Sequence, residues 1–226
     1  MPLIAVAVLA FGIAFGYVEA AVVVDLRAAI GEPAQPVFPL SFVTDPGLAR
    51  LVFIEAGREA ATIAMLAALG IAVGRSRLER LAWTAVAFGA WDIAYYGWLA
   101  AFSGWPTSLA DWDLLFLLPV PWVGPVWAPV AVSGALIGFG LAAAARLRAG
   151  GTVRLDRRQA AAGFIGGGLV ILGFTIHGPA VAAGLEPPGW SPQLFLGGMA
   201  IALVGAWAAL RDGQRSGSLA RASAAR

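Results

Sequence analysis

Cysteine and lysine are absent from the chain, and histidine occurs once, at His177. Without cysteine there can be no disulfide, no thiolate nucleophile and no Cys-ligated zinc or iron–sulfur cluster. A single histidine excludes a bis-His haem and a three-His zinc site. Charge is scarce as well: 12% of the 226 residues are charged against 60% hydrophobic, and mean hydropathy is +0.81. An average soluble domain carries about twice that share of charge, so the composition is that of an integral membrane protein whose first partner is the lipid bilayer. All 15 basic residues are arginine. The pI near 9.7 is not a nucleic-acid signal, because the arginines lie between apolar segments and form no basic stripe.

A bilayer core of about 30 Å needs about 20 apolar residues in a helix. Six segments qualify, near 3–26, 48–74, 79–102, 125–147, 160–183 and 193–211. The first has no basic residues before its apolar run and is too long for a signal peptide, so it reads as a retained span. The expected fold is an all-α membrane protein, one six-helix domain over 1–212. Residues 213–226 read as a disordered, Arg-rich cytoplasmic tail.

Arginine placement orients the bundle. Arg75, Arg77, Arg80, Arg146, Arg148, Arg154, Arg157, Arg158, Arg211, Arg215, Arg221 and Arg226 all fall on one side. The other side has Arg27 and Arg50 at its borders, with Glu32, Asp45, Asp111, Asp113 and Glu186 in its loops. The positive-inside rule then places both termini in the cytoplasm of a bacterial cell, across its inner membrane. On the outer side, Trp98, Trp105, Trp112, Trp122, Trp127 and Trp190 read mostly as an interfacial belt. Residues 104–124 are too short and too proline-rich to span, since Pro119 and Pro121 forbid a regular helix. They are expected to form a re-entrant or half-buried element on the outer face, a lid or a rigid corner.

The ionisable residues inside the spans carry the functional argument. At the helical rise, Glu19 and Glu55 lie about 10 Å below the outer edge, Arg58 and Glu59 a turn deeper, His177 about 9 Å down and Asp92 about 15 Å down. Gly12, Gly16 and Glu19 share one face of the first span, as do Gly166, Gly173 and His177 on the fifth. Tyr95 and Tyr96 are placed to bring phenol groups near Asp92. Arg58 reaches Glu55 at i, i+3, which leaves Glu59 in need of another partner. Four carboxylates face one arginine and one histidine, and the surplus calls for protons, a cation or a cationic ligand.

Each answer is a class of function. Protons suit a carrier or relay for a small solute or cation, the leading expectation, with Glu19, Glu55, Arg58, Glu59, Asp92, Tyr95, Tyr96 and His177 as ligand- or proton-binding residues. A divalent metal on Glu19, Glu59, Asp92 and His177 would suit a membrane-embedded enzyme, the alternative. Neither haem nor an iron–sulfur cluster is expected. HExxH and other spaced metal or nucleophile motifs are missing. A third reading is a non-catalytic subunit of a membrane complex. At this size a carrier would work as a homodimer, with Gly70/Gly74, Gly134/Gly138 and Gly163/Gly167 as candidate packing faces.

Overall fold

The computed structural model describes residues 1–31 and 45–224, the side chains of 212–224 excepted. Glu32 and the side chains of the expected tail therefore fall outside the described residues. The chain is 76% helical. The long helices are α1 (Pro2–Ile30), α2 (Ala49–Val73), α3 (Arg77–Ser103), α4 (Trp127–Arg148), α5 (Arg157–Thr175) and α7 (Pro192–Ala224), with the short α6 (Gly178–Ala182) after α5. The helical backbone of α7 runs over most of the stretch read as a tail.

Five described segments are long and apolar enough to cross a membrane: Pro2–Ile30, Pro46–Val73, Trp127–Arg148, Arg157–Ala182 and Pro192–Arg211. The remaining long helix, α3, has 27 residues but is less apolar. Its position explains why. It packs against α1, α2 and α4, and Trp83, Val86, Ala87 and Leu99 are almost wholly buried. On the faces it turns to these three neighbours a helix can carry polar and aromatic side chains that lipid would penalise.

Small residues set the closest approaches. A Cβ at Gly12 would lie 2.6 Å from the Ala90 Cβ, and one at Gly16 would lie 2.8 Å from the Tyr95 nitrogen, so α1 can only lie this close to α3 with glycine at both positions. On the other side of the molecule α5 and α7 pair through Gly166 and Gly198. Of the candidate packing faces, Gly70 and Gly74 pack inside the chain against Thr84 and Arg80, while Gly134, Gly138, Gly163 and Gly167 have open space where a side chain would be.

Residues between α3 and α4 form an antiparallel hairpin, β1 (Trp112–Phe116) and β2 (Trp122–Pro125), with Asp113 opposite Gly124 and Leu114 opposite Val123. The expectation of a half-buried, non-helical element holds, but strand pairing was not foreseen. Pairing is the physical answer to burial, because each strand supplies partners for the other's backbone groups. Pro119 and Pro121 in the turn lack N–H groups and so reduce the donors to be satisfied.

The tryptophans are the clearest departure from expectation. Trp105 is 2% exposed in a core with Ala20, Tyr96, Leu99 and Val126. Trp122, Trp127 and Trp190 join Phe174 and Phe195 in an aromatic cluster that ties the hairpin to α5 and α7. These four hold the hairpin end of the bundle together, where the sequence suggests a surface belt.

Candidate functional site

Glu55, Arg58, Glu59 and Thr62 follow one another at helical spacing and share a face of α2. Arg58 is the centre of the cluster they form. Its Nε donates to Glu55 Oε2 at 2.9 Å and its Nη2 pairs with the other Glu55 oxygen. Its Nη1 reaches across to Glu19 on α1. Thr62 completes the link by donating from Oγ1 to Glu19 Oε1 at 2.9 Å. The backbones of α1 and α2 make little direct contact, so these polar side chains join the two helices. Glu19 is 4% exposed, and the glycine-lined packing of α1 on α3 sets its height.

Glu59 takes its partner from the hairpin. Both of its carboxylate oxygens lie 2.9 Å from the Leu117 amide nitrogen, which donates to them just past the end of β1. An amide beyond the ladder has no strand partner, and leaving it buried without an acceptor would cost about 1–3 kcal/mol. Glu59 meets that need and fastens the hairpin to α2. It remains within electrostatic reach of Arg58 and Glu55, and the Tyr95 phenol is within reach of the same pair.

A second group lies elsewhere around α3. Asp92 accepts a hydrogen bond from Ser133 Oγ of α4 at 2.8 Å. The Tyr96 hydroxyl donates to Asp113 Oδ2 at 3.0 Å, so the phenol expected beside Asp92 serves the hairpin. Asp113, read from sequence as a loop acid, is 2% exposed. Burial pushes its carboxyl up to about 6, with the Arg27 charge, the Tyr96 hydroxyl and the Leu114 amide pulling the other way.

His177 lies outside α5, which carries Gly166 and Gly173. It follows the end of α5 and caps α6, its carbonyl accepting from the Ala180 and Val181 amides. Among the described residues no three His, Asp or Glu side chains are grouped so as to hold a metal ion. The set Glu19, Glu59, Asp92 and His177 is therefore not gathered into one ligand sphere.

No protein-family model, curated protein or solved structure matches the chain. Its chemistry must be read from the cluster itself. Glu19, Glu55 and Glu59 bring three carboxylates to one guanidinium, a formal balance of three negative charges against one positive. In a medium of low dielectric, two unmatched charges must be met by protons or by a cation. Thr62 was legible in the sequence from its spacing to Arg58 and Glu59, yet a hydroxyl gave no charge signal. The Leu117 amide, Ser133 and Asp113 became visible only once the hairpin and α4 were in place.

Proposed function

We propose that the chain is a six-span protein of a bacterial inner membrane, with α3 as the sixth span and both termini cytoplasmic, and that its outer-half cluster handles a small solute or cation together with protons. The observation that carries this reading is Arg58 shared between carboxylates on two helices while a third carboxylate, Glu59, holds a backbone amide of the hairpin. Such a cluster has negative charge to spare, and its hairpin bond would respond to whatever neutralises that charge. The enclosure of α3 supports counting it as a span despite its lower hydropathy, and the one-sided arginine distribution supports the orientation. A homodimer fits a carrier of this length. Among the described residues the metal-dependent enzyme has no converging ligand set to support it.

The test is proton movement in proteoliposomes containing a pH-sensitive dye, challenged in turn with Na⁺, K⁺, Mg²⁺ and small organic ammonium ions. One of these should drive proton flux in the wild-type chain, and Glu59→Gln and Glu19→Gln should abolish it while the protein stays folded. Silence with every probe, combined with early unfolding of both variants, would make the cluster a structural staple, as in a non-catalytic subunit. Cysteine introduced at Ser108 should label from outside intact cells with an impermeant maleimide and cysteine at Thr152 should not; the reverse result overturns the orientation.

A further inference from the structure

A cavity of about 410 Å³ opens between α3, α4, α5 and α7, away from the charged cluster. Every side chain lining it is apolar, among them Leu81, Ala85, Leu136, Phe139, Val170 and Leu203. Gly163 and Gly167 border it with nothing within 4 Å of where a Cβ would stand, so the α5 wall is hollowed. Water has no hydrogen-bond partners in such a space, and leaving it empty carries a cost that grows with its volume.

Shape and position select the occupant. Along α4 the lining runs from Val132 to Ala143, about 16 Å at the helical rise, which is close to the hydrocarbon depth of one leaflet. A cleft of about 410 Å³ drawn out over that length is long and narrow, a shape that suits an extended hydrocarbon chain. One end is marked by Leu78, Val153 and Ala206, at the start of α3, in the α4–α5 loop and late in α7, which is the Arg-rich end of the bundle. Arg77 and Arg154, the sequence neighbours of Leu78 and Val153, are both exposed there. We infer that this cleft is a lipid site that takes one acyl chain of an anionic phospholipid from the Arg-rich leaflet, with its phosphate among Arg77 and Arg154. The apolar lining accounts for the chain, and the exposed arginines next in sequence to its end residues account for the charge of the headgroup.

The full chain is placed in nanodiscs of phosphatidylcholine with a minor share of phosphatidylglycerol, extracted in mild detergent and examined by native mass spectrometry. The wild-type protein should retain one phospholipid per chain, with phosphatidylglycerol enriched about five-fold over its share of the bilayer. Gly167→Leu, which fills the cleft, should lower retained lipid about ten-fold, and Ala85→Leu from the facing wall should do the same should the first variant fail to fold. Arg77→Gln with Arg154→Gln should keep the lipid but bring its composition back toward that of the bilayer. Undiminished retention in the filled variants, retention of the two lipids by the wild type in the same proportion as in the bilayer, or no retained lipid at all overturns the inference.

Discussion

At the Arg-rich end of the bundle one buried carboxylate is surrounded by donors, while toward the opposite end two carboxylates share one guanidinium and a third lies within its electrostatic reach. Glu79, 3% exposed, pairs with Arg148, accepts the Arg75 amide at 3.0 Å and accepts the Trp83 indole N–H at 3.2 Å. Arg148 in turn donates to the Val73 carbonyl at 3.0 Å and lies over the Trp83 ring. One negative charge meets one positive charge, and the set ties the end of α2, the start of α3 and the end of α4 together. The cluster around Arg58 is built from the same residue types but is neither balanced nor closed, since the Arg58 side chain is 22% exposed against 10% for Arg148. Saturation marks a staple. An unbalanced, partly open set leaves room for a ligand or a proton.

The largest effect expected from this contrast is at the saturated end. Arg148→Ala leaves Glu79 buried without its cation and should cost about 3–5 kcal/mol, roughly 10 °C in Tm. Arg148→Gln combined with Glu79→Gln should recover a good part of that loss. Thermal unfolding in detergent measures both, and a loss no larger than that of a surface substitution would erase the distinction between the two ends.

A second expectation concerns pH. The Asp113 carboxyl titrates near 6 in the folded chain and near 3.8 when unfolded. The folded state therefore binds the proton more tightly. Asp113's contribution to stability is fully present below about 3.8 and is lost as pH rises through about 6, by up to about 3 kcal/mol. Asp113→Asn should flatten that part of the stability profile between pH 4 and 7. An unchanged slope in the variant would show that Asp113 does not set the pH dependence of stability in that range.

The smallest stability effect should come from Glu59→Gln. The carboxamide oxygen can still accept the Leu117 N–H, so the hairpin stays anchored and stability should fall by no more than about 1 kcal/mol, read as the shift in Tm. A loss as large as that of Arg148→Ala would show that Glu59 is a staple like Glu79, and the contrast between the two ends would fail.

The sequence by itself determined the membrane class, the helices and the pairing of Arg58 with Glu55. These follow from apolar run length and from i, i+3 spacing, which act over a few residues and need no knowledge of the fold. It also placed a half-buried element between α3 and α4, because prolines there prohibit helix. What Glu59, Tyr96 and Asp92 bond to was decided only by tertiary structure. Glu59 meets an amide 58 residues away, Tyr96 meets Asp113 and Asp92 meets Ser133, separations of 17 and 41 residues. A backbone amide carries no residue-type signal, and the hairpin that presents it exists because buried strands must satisfy one another's hydrogen bonds. His177 shows the same limit. Helical spacing put it inside the fifth span, but the helix ends at Thr175 and the histidine caps the short helix that follows. Local periodicity fixes which face of a helix is polar; the chain distant in sequence fixes what that face meets.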